Sequence, residues 1–349
     1  MTEKDKTIGD IGELGFLKDL FKTIKHKDKN ILVGLGDDAA VISSQPDVNY
    51  VFTTDMLVEK THFDLRYTTF YDLGRKSVIV NVSDIASMGA EPSYILISIG
   101  YPKNLLYDFV KEFYDGIKFE CDKWGCEIIG GDTVGSDKFI INICMIGKIN
   151  KKENICLRSS AKERQYVYVT GELGESSAGL QMLMLKADRV KIHALKDKKE
   201  LFNHLTQRHL LPTPRLEFSR FIKDKVNSLS MIDISDGLFN ELNLISEASK
   251  VGFEINIDNI FKSDTLTEYC NLMGTDICDI NDYLLFGGED FEMLFITETP
   301  PDKMNEIMTG FNQKLPISYI GKTLKHSRGV VFKLNGKKIK LDNKTFKHF

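Results

Sequence analysis

The first half of the chain alternates short apolar runs with helical patterns. Apolar residues at three- and four-residue spacing over 11–25 predict a helix, and the close apolar runs over 31–42 predict a hairpin. The other predicted elements of this half are helices over 71–89 and 104–123 and strands over 50–57, 95–101, 126–129 and 139–149. The polar stretch KKENICLRSSAKERQ at 150–164 follows, and it predicts a domain boundary.

The second half repeats this alternation. Its predicted elements are strands over 166–171, 231–235, 253–257, 292–297, 318–322 and 330–334 and helices over 174–186 and 237–250. Pro214 suits a first helical turn, so 211–215 predicts a helix entry, and the lysine-rich stretch 186–200 predicts a solvated surface. We therefore expect an α/β or α+β fold with mixed sheets covered by helices, divided into domains at 1–150 and 151–349.

Composition narrows the class of protein. A length of 349 residues fits two domains, and a net charge of −4 gives no electrostatic reason to expect nucleic-acid binding. No apolar run approaches the roughly 20 residues that cross a bilayer, and the N-terminus has no signal-peptide pattern. The six cysteines form no CxxC pair, which predicts buried reduced thiols. These features predict a cytoplasmic protein without a membrane partner.

Acidic residues recur in short motifs rich in Gly, Ser or Thr, mostly where an apolar run ends. The motifs contain Asp37 and Asp38, Asp55, Asp84, Asp132, Asp233 and Asp236, and Glu289 and Asp290. Their repetition predicts one site that is built from many segments. Carboxylates in one pocket repel and raise each other's pKa, so convergence requires cations between them. The pattern therefore predicts divalent metal, together with a polyphosphate that the metal binds.

Magnesium fits such a donor set. It takes octahedral oxygen ligands at about 2.1 Å, usually one or two carboxylates, waters and substrate phosphates. The hydroxyls of Thr53, Thr54 and Ser235 offer further neutral oxygens. The chain has no GxxxxGK[ST] loop, no GxGxxG after a strand and no kinase HRD or DFG motif. If the protein uses ATP, scattered carboxylates therefore hold it through metal.

Seven segments, taken in order, resemble a known motif series. They are GLGDDAAVI (34–42), TTDMLVEKTHF (53–63), NVSDIASMGAEP (81–92), GGDTV (130–134), IDISDGL (232–238), GGEDFEMLF (287–295) and KTFKHF (344–349). This series is similar to that of the thiamine-monophosphate kinase family, which belongs to the superfamily of aminoimidazole ribonucleotide synthetase and selenophosphate synthetase. The resemblance covers nearly the whole chain.

The resemblance implies a role for each matching position. Those that match the family's magnesium ligands are Asp38, Thr53, Thr54, Asp55, Asp84, Asp132, Asp233 and Asp236. Those that match its ATP contacts are Tyr114, Gly131, Asp132, Arg158 and Ser235. His62, Glu289 and Phe346 match residues that bind thiamine monophosphate. Asp37 and Asp290 match no ligand, and no residue is implied as a general acid or base.

The resemblance also implies an architecture and a reaction. The fold is that of aminoimidazole ribonucleotide synthetase, with 1–150 binding ATP and magnesium and forming a homodimer, and 151–349 completing the substrate site. The reaction transfers the γ-phosphoryl group of ATP to thiamine monophosphate, the last step of thiamine diphosphate biosynthesis. The acceptor phosphate has a second pKa near ~6, so it is mostly dianionic at neutral pH and needs no strong general base. We expect direct in-line transfer without a phosphoenzyme.

Three alternative functions stay open from the sequence. One is another ATP-using synthetase of the superfamily, although selenophosphate synthetase usually has a reactive residue near its N-terminus and the first cysteine here is Cys121. The second is a metal-dependent phosphohydrolase, which would release phosphate without ATP. The third is a non-catalytic nucleotide-binding module, which would bind ATP without turnover.

Overall fold

The computed structural model describes residues 31–33, 40–102, 105–188, 195–274 and 279–346. The predicted helix over 11–25, together with Asp37 and Asp38, lies outside these residues. The described chain forms two mixed β-sheets and nine α-helices. This confirms the predicted fold class.

The N-terminal sheet has six strands. They are β1 (Ile31–Val33), β2 (Ala40–Gln45), β3 (Val48–Val58), β4 (Glu91–Tyr101), β5 (Glu127–Gly135) and β6 (Ile140–Asn150), in the order β1-β2-β3-β6-β4-β5. Only β4 and β5 pair in parallel among these strands. On β3, Val51, Thr53 and Leu57 point to the buried face. Helix α1 (Phe70–Ser87) packs on this face, while the other face carries exposed residues.

Helix α1 crosses α2 (Tyr107–Trp124) at unusually close range. A Cβ atom on Gly74 would lie 2.0 Å from the carbonyl oxygen of Phe113, and one on Gly116 would lie 2.1 Å from that of Tyr71. The two helix backbones therefore touch, and only glycine fits at either position. This contact fixes how α1 lies across the N-terminal sheet.

The C-terminal sheet has seven strands and all its neighbours are antiparallel except β9 and β12. The strands are β7 (Tyr166–Thr170), β8 (Ser230–Ile234), β9 (Val251–Asn256), β10 (Glu292–Thr297), β11 (Ile317–Lys325), β12 (Val330–Leu334) and β13 (Lys337–Ile339), in the order β13-β12-β9-β11-β7-β10-β8. The helices are α3 (Glu175–Ala187), α4 (Lys199–Leu210), α5 (Leu216–Lys223), α6 (Leu238–Ser249), α7 (Asp264–Met273), α8 (Ile280–Phe286) and α9 (Pro301–Met308).

The hydrophobic pattern missed α4, α7, α8 and α9. Side-chain caps define two of these helices: Ser263 accepts from the backbone N–H of Leu266, and Asp279 accepts from that of Asn281. The pattern also ended the strand at residue 129, whereas β5 continues through the GGDT motif to Gly135. Pairing with β4 along this length satisfies the backbone groups and outweighs the low strand propensity of glycine.

The hydrophobic core crosses the predicted domain boundary. Val51, Ile85 and Phe113 of the first half share one core cluster with Phe218 and Phe295 of the second. A second cluster lies wholly within the C-terminal half. The two halves therefore pack through a common interior. The division into domains at residue 150 stays a prediction.

Four of the described cysteines, Cys121, Cys126, Cys144 and Cys156, are free thiols, but Cys270 is disulfide-bonded. The expectation of reduced thiols is therefore wrong at Cys270. In the part of the chain that the structure describes, no helix has the length and apolarity needed to cross a membrane.

Candidate active site

Four carboxylates meet where α1 passes between the two sheets. Asp55 comes from the buried face of β3, Asp84 from α1, Asp233 from β8, and Asp236 from the turn after β8. Hydroxyl groups fix two of them. The Thr53 hydroxyl donates to Asp84, and the Ser83 hydroxyl donates to Asp233 Oδ2 at 2.7 Å. The structure thus brings the TTD, SD and IDISDG motifs together.

The electrostatics of this carboxylate cluster follow from burial and like charge. Burial, and then the charges of Asp233 and Asp236, raises the pKa of Asp55 to about 7. Burial, with Asp55 and Asp233, raises the pKa of Asp84 well above its usual value. Burial also raises the pKa of Asp233, although the Ser83 hydrogen bond and the charge of Arg158 oppose it. The protein alone therefore does not neutralise this cluster.

The donor set of the cluster fits a hard divalent cation. Its ligand atoms are carboxylate and hydroxyl oxygens, which Mg²⁺ prefers, and its excess negative charge is what such an ion would offset. Sulfur and imidazole ligands, which would favour zinc, do not enter the described contacts of the four carboxylates. Asp55, Asp84, Asp233 and Asp236 are the residues that would hold the metal.

Two further predicted ligands lie on the other face of the N-terminal sheet. Thr54 is exposed there and accepts a hydrogen bond from Asn142 Nδ2 at 3.0 Å. Asp132 is exposed on β5, where it pairs with Ser98 and accepts from the backbone N–H of Thr133. Strand register puts Asp132 of β5 in line with Met56 of β3, three strand spacings away, which is about 14 Å. Within the described residues of one chain, neither side chain joins the carboxylate cluster.

The residues predicted to contact ATP are dispersed. Arg158 lies in a short 3₁₀ turn, near enough to Asp233 for its charge to lower that pKa. Ser235 follows β8 and accepts from the backbone N–H of Glu289 at 2.6 Å. Tyr114 is half-buried on α2, and burial raises its pKa. A Cβ atom on Gly131 would lie 1.9 Å from the carbonyl oxygen of Ile97, so strand pairing already requires glycine there.

The predicted substrate residues lie beside the cluster or near the C-terminus. His62 Nδ1 accepts from the backbone N–H of Val58 at 3.0 Å, and a protonated His62 would lower the pKa of Glu289. Glu289 is 27% exposed, and its backbone N–H donates to the carbonyl of Ser235, the neighbour of Asp236. Phe346 is 57% exposed. Asp38 lies outside the described residues.

The two acids of the GGED motif have separate roles. Asp290 is buried and accepts from the backbone N–H groups of Gly174 (2.6 Å) and Ser176 (3.1 Å), so it caps the first turn of α3. Glu289 and Phe291 on either side of it have φ values of 61° and 52°, in the left-handed region. This backbone turns Glu289 away from Asp290 and toward α1.

Sequence reasoning missed two residues that contact Glu289. Lys76 Nζ lies 3.0 Å from Glu289 Oε2, and His209 Nδ1 lies 3.3 Å from the same oxygen. Lys76 had only a weak signal, because the apolar run VIV at 78–80 follows it but the same helix also carries the charged residues Asp72, Arg75 and Asp84. His209 carries no comparable signal.

The two sheets with an acidic site between them are the arrangement of one class of protein, the AIR synthase related proteins. The family model for the N-terminal domain of AIR synthase related proteins matches residues 36–149, and the model for their C-terminal domain matches 163–333. Together these matches cover most of the chain in the order of the two sheets.

Individual relatives narrow the class. Thiamine-monophosphate kinase of Bacillus subtilis is 34% identical over 334 residues, covering 94% of this chain and 96% of the relative. The solved structure of AaThiL complexed with AMPPCP and TMP has a TM-score of 0.81 at 31% identity, with 99% of each chain covered. Thiamine monophosphate kinase from Aquifex aeolicus has a TM-score of 0.76 at 30% identity, covering 96% of this chain and all (100%) of that one. The chain belongs to the thiamine-monophosphate kinase family of the AIR synthase related proteins.

Proposed function

We propose that the protein transfers the γ-phosphoryl group of ATP to thiamine monophosphate, which yields thiamine diphosphate and ADP. The observation that carries the proposal is the carboxylate cluster of Asp55, Asp84, Asp233 and Asp236 between the two sheets. Membership of the family supports it, as does the likeness to a relative solved with both AMPPCP and TMP. The acceptor is thus a phosphate monoester and the donor a nucleoside triphosphate.

The residues of the cluster suit this chemistry without a general base. Asp55, Asp84, Asp233 and Asp236 would hold several Mg²⁺ ions, while the Thr53 and Ser83 hydroxyls fix the orientation of two carboxylates. Bound Mg²⁺ would offset the charge that the two phosphate groups bring together. The chain would align donor and acceptor for direct in-line transfer, since a dianionic phosphate is already a nucleophile.

Three residues are proposed to bind thiamine monophosphate. Glu289 offers a carboxylate to a ring substrate that carries a thiazolium cation and an amino group. His62 lies near it, and because its Nδ1 accepts from the Val58 backbone N–H, the proton of its neutral ring is on Nε2. Phe346 offers an aromatic face for a cationic ring. The proposed metal role is kept for Asp38, and the proposed ATP roles are kept for Tyr114, Gly131, Arg158 and Ser235. The proposed location of the protein is the cytoplasm.

Following the fate of the γ-phosphate separates the proposed function from its alternatives. With γ-labelled ATP, Mg²⁺ and thiamine monophosphate, we expect the label in thiamine diphosphate and little release of phosphate when the acceptor is omitted. Label released as phosphate without an acceptor would support a hydrolase. Binding of ATP without any transfer would support a nucleotide-binding module, and either result would contradict the proposal.

We also propose that the protein is a homodimer that pairs its N-terminal sheets. The face of that sheet opposite α1 exposes the apolar side chains of Met56, Leu96 and Val134, with exposures of 55%, 37% and 54%. Thr54 and Asp132 lie on this same face, which would place them at the subunit boundary. Such an exposed apolar face is typical of an interaction surface.

Val134→Lys is expected to dissociate this dimer, because it would place a charge in a desolvated interface. Light scattering at micromolar concentration should give about twice the chain mass of 39.7 kDa for the wild type, and a lower mass for the variant. Met184→Lys is the control, since Met184 is an exposed apolar residue of the C-terminal half. A monomeric wild type would contradict the dimer.

A further inference from the structure

A buried ion pair joins α1 to the C-terminal half beside the carboxylate cluster. Lys76 is 2% exposed, and its Nζ atom lies 3.0 Å from Oε2 of Glu289. His209 is 3% exposed, with Nδ1 lying 3.3 Å from the same oxygen and 3.2 Å from Ser176 Oγ. The reaction proposed above uses neither Lys76 nor His209.

The cost of burying an ammonium group makes this pairing informative. A lysine removed from water stays charged only where a close anion and good hydrogen bonds offset the lost hydration. Burial and the nearby Lys76 lower the pKa of His209 to about 3, so its imidazole is neutral at neutral pH. Lys76 is therefore the buried cation that balances Glu289.

The backbone and the ion pair together fix the carboxylate of Glu289. Its φ of 61° and the 2.6 Å hydrogen bond from its N–H to Ser235 set the direction of the side chain. Lys76 and His209 both contact Oε2. Among the described residues no contact engages Oε1, and the side chain is 27% exposed. One oxygen is anchored inside the protein while the other remains available to a ligand.

We propose that Lys76 is a positioning residue that anchors Oε2 of Glu289, so that Oε1 stays anionic and fixed for the ring portion of thiamine monophosphate. The inference rests on the proposed function. Thiamine monophosphate offers a cationic thiazolium and an amino group, both of which favour an anionic acceptor. Lys76 would thus set the affinity for the acceptor and leave that for ATP unchanged.

The charges around Glu289 agree with this role. Burial alone would raise the pKa of Glu289, but the charge of Lys76 and its hydrogen bond lower it below its usual value. Tyr67 also faces Glu289, and its own pKa is raised to about 12, so it stays neutral at neutral pH. The carboxylate is therefore ionised across the working range of a neutral-pH enzyme.

A double-mutant cycle tests the inference. Lys76→Met should raise the KM for thiamine monophosphate by roughly 10- to 100-fold, the factor expected for a hydrogen bond to a charged group, with a smaller change in kcat and none in the KM for ATP. Glu289→Gln should raise the same KM. In the Glu289→Gln background Lys76→Met should add nothing, because Lys76 acts through Glu289. The double variant also leaves no unpaired buried charge.

A pH profile and a rescue separate positioning from a merely structural role. Without Lys76 the pKa of Glu289 rises, so the variant-to-wild-type ratio of kcat/KM for thiamine monophosphate should fall as pH is lowered. Lys76→Arg should recover much of the affinity because it restores the cation. Lys223→Met is the matched control, since this mostly buried lysine also joins the two halves, by donating to the Gly89 carbonyl at 3.1 Å, and pairs with Glu153 at 2.6 Å.

The possible outcomes separate this inference from the proposed function. An active wild type with an unchanged KM in Lys76→Met would overturn the role of Lys76 alone. So would additive effects of Lys76→Met and Glu289→Gln, or an equal effect of Lys223→Met. A wild type that does not phosphorylate thiamine monophosphate would overturn the proposed function, and this inference with it.

Discussion

Replacing Asp84 with asparagine is expected to lower kcat/KM by at least roughly 10²- to 10³-fold, the scale seen when one preorganised electrostatic contact is removed. Asp84 lies at the centre of the carboxylate cluster, where it accepts the Thr53 hydroxyl and interacts with Asp55 and Asp233. Its loss removes an anionic ligand for the metal. Initial rates at saturating ATP and Mg²⁺ would measure the effect, and Asp55→Asn should behave alike.

The same substitution should leave the metal-free fold at least as stable as the wild type. Burial and like charge raise the pKa of Asp84, so at neutral pH its ionisation costs the folded state free energy. A neutral asparagine relieves this cost, and the melting temperature should hold or rise. Asp115→Asn, at an exposed position on α2, should change neither rate nor stability. Wild-type rates in Asp84→Asn, or a loss of rate accompanied by unfolding, would contradict the assignment.

Replacing Glu292 with glutamine should have the opposite profile and destabilise the fold by about 3–5 kcal/mol, as expected when a buried ion pair loses one partner. Glu292 is fully buried on β10, where Arg208 Nη2 donates to it at 3.0 Å and Thr170 Oγ1 at 2.7 Å. Arg215 contacts both of its carboxylate oxygens. Removing the charge leaves the mostly buried guanidinium of Arg215 without its anion and that of Arg208 with only Glu175, 3.3 Å from its Nε.

Urea unfolding at neutral pH measures this loss, with Asp282→Asn as the control because its ion pair with Lys344 is exposed. The control should change stability little. Burial alone would raise the pKa of Glu292, but Arg215 and Arg208 lower it overall. The stabilisation is therefore present above the usual pKa and is lost as pH falls through the lowered value. A loss as small as that of the control would contradict the structural role.

Much of the carboxylate cluster could be predicted because its acids stand in strongly patterned elements. Asp84 lies in a predicted helix and Asp233 in a predicted strand, and the structure contains both elements. The apolar residues that flank them settle both the element type and the buried face. Local periodicity was therefore enough to place these two acids beside one core.

The division of the acidic motifs between the two faces of the N-terminal sheet could also have been predicted. It was missed because each motif was treated as a single unit. Thr53 and Thr54 are neighbours on one strand, so they point to opposite faces of the sheet. The predicted strand ended at residue 129, before Gly130 and Gly131, yet pairing with β4 keeps Asp132 in a strand. The sequence pattern alone gives no means to weigh that pairing against the glycines.

The partners of Glu289 and Asp290 depend on contacts that are distant in sequence. Asp290 caps a helix through Gly174, 116 residues before it, and Lys76 meets Glu289 across 213 residues. A single lysine at a helical position is usually solvated, and only the packing of α1 on both sheets buries this one. No local pattern reports such a long-range contact.

The most direct test of the central claim is the yield of thiamine diphosphate per ADP formed. Purified protein with ATP, Mg²⁺ and thiamine monophosphate can be followed by ³¹P NMR, which resolves ATP, ADP, both thiamine phosphates and inorganic phosphate. The proposed reaction predicts one thiamine diphosphate for each ADP, no product after chelation of Mg²⁺, and no ATP consumption without the acceptor. Formation of ADP with inorganic phosphate in place of thiamine diphosphate would contradict it.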